Sequence, residues 1–229
     1  MLVSLVTILS LGGTASAGGD IVSDSLGSVE SWSGFYAGVQ VGGVRGEADA
    51  VYEDELHNRF YADDFRINGF MGGVYGGHNR LLENGWLIGV EGEWNYLSGN
   101  DTVLIDGDPR TTARLEQNWD ASLRLRLGRV IGDYLPYLTG GVAWGDFDLK
   151  SHDGYSINPD TTTGYILTGW TMGAGVEMKI SENLHARIQY RYTDYGDDTK
   201  RIWSSATGYI DANVQYNAHT LTVGLSYRF

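Results

Sequence analysis

The chain closes on Thr220-Leu221-Thr222-Val223-Gly224-Leu225-Ser226-Tyr227-Arg228-Phe229, and the reading of this stretch decides the fold. Side chains alternate sides along an extended strand, so Leu221, Val223, Leu225, Tyr227 and Phe229 share one face. Thr220, Thr222, Gly224, Ser226 and Arg228 share the other. Upstream the same two-residue period recurs. Trp119, Ala121, Leu123, Leu125 and Leu127 oppose Asp120, Ser122, Arg124, Arg126 and Gly128. Leu184, Ala186, Ile188, Tyr190 and Tyr192 oppose His185, Arg187, Gln189, Arg191 and Thr193. Trp86, Ile88, Val90, Trp94 and Tyr96 stand against Glu91, Glu93 and Asn95, and Trp170, Met172, Ala174, Val176 and Met178 against Thr171, Glu177 and Lys179. Weaker versions occupy 35–44, 70–79 and 138–145. About eight strands result, with the strand period rather than the 3.6-residue period of a helix.

The breaks between these stretches alternate in length. They are short around 82–85, 131–134 and 181–183, and long at 46–65, 97–115, 146–164 and 194–216. This pattern predicts an all-β fold: an eight-stranded antiparallel up-and-down transmembrane β-barrel with short periplasmic turns and long extracellular loops. A secreted, ligand-carrying soluble barrel has the same period, and differs in whether the apolar face points in or out.

Charge placement separates the two. The 229 residues carry a formal net charge of −13, which argues against a nucleic-acid partner. The four long segments hold 18 acidic and 6 basic residues, so nearly all of the excess lies there, as solvated loops require. The strands are almost neutral. On their polar faces Glu91, Glu93, Asp120 and Glu177 meet Arg124, Arg126, Lys179, Arg187, Arg191 and Arg228, a mixture predicted to form an ion-pair network across a narrow lumen. Eight strands enclose an interior that side chains can fill, so no broad aqueous channel is expected. Aromatic residues near strand ends (Phe35, Trp86, Trp94, Tyr96, Trp119, Trp144, Tyr192 and Phe229) fit an interfacial belt. Thirty-three glycines, 15 tyrosines, 3 prolines and no cysteine suit long strands, and exclude a disulfide framework or a thiolate metal site.

The N-terminal region reads as an export signal. Leu2 to Leu11 is apolar but for Ser4, Thr7 and Ser10, and Ala15-Ser16-Ala17 offers the small residues of a cleavage site. The expected division is a signal peptide at 1–17, a short periplasmic segment at 18–33 and a barrel at 34–229. No basic residue precedes the apolar run, which predicts a start several residues upstream of Met1.

Several motifs together resemble a known family. They are Trp32-Ser33-Gly34-Phe35-Tyr36-Ala37-Gly38, Leu87-Ile88-Gly89-Val90-Glu91-Gly92-Glu93-Trp94, Pro136-Tyr137-Leu138-Thr139-Gly140-Gly141-Val142-Ala143-Trp144-Gly145 and Gly169-Trp170-Thr171-Met172-Gly173-Ala174-Gly175-Val176-Glu177. Tyr190-Arg191-Tyr192-Thr193-Asp194-Tyr195-Gly196 and the terminal Tyr227-Arg228-Phe229 complete the set. In this order they resemble the small eight-stranded outer-membrane proteins of α-proteobacteria, the RopB-like, opacity-like "porin family" surface antigens. The resemblance implies a Gram-negative outer membrane. It also implies that Leu221, Val223, Leu225, Tyr227 and Phe229 form a terminal signal read by the barrel-assembly machinery.

The expected function is a structural, surface-exposed envelope protein that supports envelope integrity and surface interactions, with a lumen largely filled by side chains. Its expected partners are outer-membrane lipids, lipopolysaccharide and, through the acidic loops, host or cell-surface molecules. Four rival chemistries rest on less. The inward charges would also suit a narrow passive channel. Glu47, Asp49, Glu53, Asp54, Glu55, Asp63 and Asp64 would suit divalent cations but lack EF-hand spacing. His57 and His152 lie in long segments where haem would dock, yet the five histidines form no ligand pair. A lipid A-modifying enzyme would need a triad that no G-x-S-x-G segment announces. No catalytic, cofactor or metal residue is therefore assigned.

Overall fold

A computed structural model of the chain describes residues 32–54, 59–61, 65–105, 108–153, 160–205 and 208–229, with side chains for 32–47, 68–98, 116–148, 164, 166–196 and 216–229. The signal and cleavage site expected at 1–17, and most of the 18–33 segment, lie outside these residues. Eight long strands build the structure: β1 (Gly34–Asp54), β3 (Phe65–Leu81), β4 (Trp86–Ile105), β5 (Asp108–Arg129), β6 (Tyr134–Asp153), β7 (Asp160–Lys179), β8 (Leu184–Ser205) and β9 (Gly208–Arg228). A three-residue strand, β2 (Arg59–Tyr61), pairs with the far end of β1. Each long strand is antiparallel to the next, and β1 pairs β9 from Tyr36↔Arg228 to Asp54↔Ile210. The sheet is thereby closed and leaves no free edge along the spanning part, which hydrocarbon demands because it cannot hydrogen-bond an exposed N–H or C=O.

The strands are longer than the alternation suggested. At 17 to 22 residues, they take in most of the four segments expected as loops. Thr111↔Asp153 and Lys150↔Thr162, for example, are paired positions inside such segments. Strand propensity there is ordinary, but most hairpin arms continue the ladder of an arm beside them, so pairing propagates outward from the membrane part; the β7–β8 ladder is an exception and stops at Trp170↔Asp194.

The short connections follow turn chemistry. Leu82 N–H donates to the Trp86 carbonyl at 2.7 Å and closes the three-residue connection Glu83-Asn84-Gly85, in which Asn84 and Gly85 take positive φ, at 82° and 79°, a backbone that Asn and Gly adopt most readily. Gly132 (φ 61°) leads the Gly132-Asp133 turn, where Ile131 and Tyr134 exchange both backbone hydrogen bonds at 2.8 and 3.1 Å.

Alternation then sorts the side chains. Among the described residues, large apolar side chains that stand exposed outnumber those that are buried. Val39, Val41, Leu123, Leu125, Leu138, Met172, Ile188, Val223 and their neighbours form a continuous outer belt, with Leu125 73 % exposed. A surface of that kind is unstable in water and at home in a bilayer. Polar and charged groups are turned inward instead.

Candidate functional site

The interior has three storeys. At the end with the short turns, Trp32 turns in beneath β1 and packs, fully buried, with Leu87, Leu135 and Tyr137, while Leu81 and Val130 border the cluster. Its carbonyl accepts a hydrogen bond from Arg228 Nη1 at 2.6 Å, and the Ser33 hydroxyl oxygen accepts from the Leu81 N–H at 3.0 Å. The His185 ring meets the indole at a tilt of 58°, centroid to centroid 4.7 Å. Sequence reasoning placed Trp32 in a tail. A lone aromatic two residues before a strand carries no pattern, and only barrel closure brings it under the lumen.

The middle storey is charged. Glu91 takes Arg124 Nη2 at 2.6 Å and Arg187 Nη1 at 2.8 Å, with Arg126 Nη1 at 3.6 Å. It also accepts the Tyr36 hydroxyl at 2.7 Å. Glu93 takes Arg124 at 2.5 Å, Arg191 at 3.3 Å and Arg187 at 3.4 Å. Arg126 and Arg228 share Glu177, the latter at 2.6 Å, and Arg191 pairs with Asp120. Asn95 links the groups, donating to Glu93 and Asp120 at 2.7 Å each and accepting from Gln40 at 2.7 Å. Arg187 lies over the Tyr75 ring at 3.3 Å and Arg126 over Tyr137 at 3.8 Å. These nine ionised side chains are all buried.

The contacts run unbroken along the barrel axis, from Arg228 through Glu177, Arg126, Glu91, Arg124 or Arg187, Glu93 and Arg191 to Asp120. Arg124, Arg126, Glu91 and Glu93 sit on adjoining strands, where Glu91↔Arg124 is a cross-strand pair. Arg187 and Arg191 reach them from β8, across the lumen. Of the ten residues expected in the network, nine are brought together. Lys179 stands apart, half-buried one cross-strand pair from the β7–β8 turn and opposite His185, and forms no ion pair among the described residues. Glu177 is already claimed by two arginines.

The third storey lies toward the long hairpins, and sequence reasoning missed it. Each long strand turns one side chain inward there: Val44, Met71, Leu97, Gln117, Phe147, Leu167, Tyr195 and Tyr216, all buried. Phe147 meets Tyr195 and Tyr216 edge-on at 5.5 and 4.8 Å, and the Tyr216 hydroxyl donates to Gln117 at 3.0 Å. The residues between them (Arg45, Glu47, Asp146, Asp148 and Asp194) face outward. The sense of the alternation is thus reversed relative to the belt below. Past the hydrocarbon the outer face meets water, so the favourable arrangement is again apolar inside and charged outside.

All eight expected belt aromatics point outward, from Trp119, Trp144 and Tyr192 at intermediate exposure to Phe229 at 78 %. Leu221, Val223, Leu225, Tyr227 and Phe229 likewise line the outer face of β9, and the Phe229 N–H donates to the Phe35 carbonyl at 3.0 Å, completing the seam with β1. Of the acidic first segment, Glu47 is described and pairs with Arg45 at 3.4 Å. The side chains of Asp49, Glu53, Asp54, Glu55, Asp63, Asp64, His57 and His152 lie outside the described residues. Among the described residues no cluster could hold a metal ion.

A closed eight-stranded antiparallel barrel with an apolar outer belt and a charged interior defines a membrane-spanning β-barrel protein. The chain belongs to the outer membrane protein beta-barrel domain family, whose model matches residues 4–229, and it is an outer-membrane protein. It is 30 % identical over 210 residues to the 31 kDa outer-membrane immunogenic protein of Brucella melitensis, covering 87 % of this chain and 84 % of that one. It is 34 % identical over 166 residues to the 22 kDa outer membrane protein of Rhizobium leguminosarum bv. viciae, covering 72 % and 65 %. Among solved structures, the outer membrane protein OprG from Pseudomonas aeruginosa superposes with a TM-score of 0.53 at 12 % identity, over 86 % of this chain and 97 % of that one. The outer membrane protease OmpT from Escherichia coli does so at 0.50 and 10 %, over 85 % and 96 %. At such identity both likenesses concern the fold alone.

Proposed function

We propose that this protein is a structural envelope component: a barrel closed to ions that anchors acidic, surface-exposed hairpins, contributes to envelope integrity and displays those hairpins to lipopolysaccharide and to host or cell-surface molecules. The observation that carries this reading is the charged storey, whose nine buried side chains reach wall to wall between two apolar layers. An ion crossing it would have to separate pairs such as Arg187–Glu91 at 2.8 Å, and a buried charge stripped of its partner is expensive. Turnover has no part in the reading. The buried carboxylates are held by guanidinium groups, and they present no free edge to a substrate. The names of the Brucella relatives, immunogenic outer-membrane proteins, support exposure at the cell surface.

Planar-bilayer recording of the refolded protein tests the closed lumen. A silent membrane is expected, whereas steady, reproducible conductance would turn the reading into that of a narrow channel. Deleting the gene and measuring detergent and antibiotic sensitivity tests the envelope role, and unchanged sensitivity would remove it.

A further inference from the structure

Two arginines stand on the lipid-facing side of the barrel. At the end with the short turns, outward positions are apolar or aromatic on most strands, among them Phe35, Trp86, Tyr134, Met178, Leu184 and Phe229. On β3 and β5 they are Arg80 and Arg129, both exposed and each within two residues of a short turn. Neither forms an ion pair among the described residues, the turn acids Glu83 and Asp133 included, and Arg129 lies over the Trp86 ring with its guanidinium carbon 5.8 Å from the centroid. A lipid-facing guanidinium is stable only where its long side chain reaches the polar headgroups. The short turns face the periplasm, so the headgroups at this level are those of phospholipid, on the opposite side from lipopolysaccharide.

The two arginines flank β4. Arg80 is paired with Ile88 and Arg129 with Trp86, so they stand two strands apart and one outward position apart along the strands, about 12 Å between Cα atoms. A phosphodiester between them is within reach of both side chains. Next to Arg80, on the side toward the membrane core, the outer face is hollowed. A cavity of about 750 Å³, a volume typical of small-molecule sites, has Arg80 and His78 on its β3 side, Ile88 and Leu127 in its middle, and Leu138 and Gly140 on its β6 side. Position 140 contributes no side chain to it: a methyl group there would meet nothing nearer, beyond its chain neighbours, than the Thr171 carbonyl oxygen at 3.9 Å. His78 is one outward position deeper than Arg80, about 7 Å along the strand, and packs edge-on against Phe35 at 4.6 Å. Its ring N–H thereby lies toward the level of a lipid's ester carbonyls. Basic groups at the rim of an apolar intramembrane groove are the chemistry that selects an anionic headgroup together with its chain. A zwitterionic headgroup would bring its ammonium to the same two guanidinium groups.

We propose that this face binds one anionic phospholipid of the periplasmic leaflet, with its phosphate held by Arg80 and Arg129 and one acyl chain laid in the hollow between β3 and β6. The site lies outside the lumen, so it does not depend on whether the barrel conducts.

The test is native mass spectrometry of the detergent-refolded barrel, its fold checked by the gel shift between folded and boiled protein, titrated with dioleoyl phosphatidylglycerol and separately with dioleoyl phosphatidylcholine. One saturable phosphatidylglycerol per barrel is expected, with phosphatidylcholine bound about tenfold or more weaker. Each basic residue at an anionic headgroup is worth about fivefold, so Arg80→Gln/Arg129→Gln should weaken phosphatidylglycerol about 25-fold, while Arg80→Lys/Arg129→Lys keeps most of the affinity. Gly140→Leu leaves both arginines in place and fills the hollow, and should weaken binding about tenfold, the worth of roughly two buried methylenes. Glycerophosphoglycerol, the same headgroup without chains, should not displace the lipid at equal concentration. Equal affinity for the two lipids, or unchanged affinity in the arginine-to-glutamine variant, would overturn the proposal. Unchanged affinity in Gly140→Leu, or displacement by the chain-free headgroup, would show that phosphate alone is recognised and would overturn the place given to the acyl chain.

Discussion

Replacing Glu91 by Gln is the sharpest probe of the interior. Glu91 is fully buried and answers three arginines, Arg124, Arg126 and Arg187. The amide has nearly the same shape and still accepts the Tyr36 hydroxyl, so the change is one of charge. With the carboxylate gone, five arginines face three acids, and the one carboxylate left to Arg187 is Glu93 at the longer 3.4 Å, beside its neutral acceptor Gln40 at 2.6 Å. Removing one partner of a buried pair costs about 3–5 kcal/mol, because the remaining charge stays out of water. At about 1.4 kcal/mol per decade, the unfolding constant should rise at least about 100-fold. The assay is equilibrium urea unfolding in lipid vesicles, followed by tryptophan fluorescence and by the gel shift between folded and boiled protein. The double variant Glu91→Gln/Arg187→Gln should recover part of the loss, with a coupling on the order of 1–3 kcal/mol. A loss for Glu91→Gln below about 1 kcal/mol, the scale of solvated pairs, would refute the argument by showing that water reaches the network.

The remaining predictions concern the two apolar layers and the outer face. Trp32→Ala removes a fully buried indole and should destabilise by about 3–5 kcal/mol; flickering ion conductance should appear in bilayers, and a silent variant would show that the charged storey alone closes the barrel. Leu125→Arg places a charge on the lipid face and should cost about 2–4 kcal/mol in vesicles, while an unchanged unfolding midpoint would refute the membrane placement of that face. Phe229→Ala should slow insertion by the assembly machinery in proteoliposomes yet leave the unfolding midpoint almost unchanged, since the ring is 78 % exposed; insertion at the wild-type rate would remove the proposed signal.

Much of this architecture is legible in the chain before folding, because a strand's faces are fixed by parity. Leu221 to Phe229 at every second position, Leu123 and Leu125 against Arg124 and Arg126, and Glu91 and Glu93 against Val90 and Trp94 all keep their predicted sides. The mixed signs of the inward face also announce ion pairs. Parity says nothing, however, about which pairs form. Arg187 lies 96 residues from Glu91 and reaches it across the lumen, a contact set by barrel closure and by the stagger of β4 against β8. The strand lengths were hidden for a related reason: the hairpins beyond the membrane are held by cross-strand pairing, which a local pattern does not report.

The sequence by itself determined the barrel, the turn positions and the two faces, since a two-residue period and left-handed turn residues are local properties. Only the tertiary structure decided where the meaning of the faces changes. Phe147 between Asp146 and Asp148 reads as a loop residue, yet it points inward while both acids point out. Val44, the last residue of the stretch read as a strand at 35–44, is likewise an apolar side chain that points inward, while Arg45 points out. The cause is the solvent outside the wall, hydrocarbon around Leu125 and water around Asp146, and that boundary exists only once the strands stand side by side in a membrane.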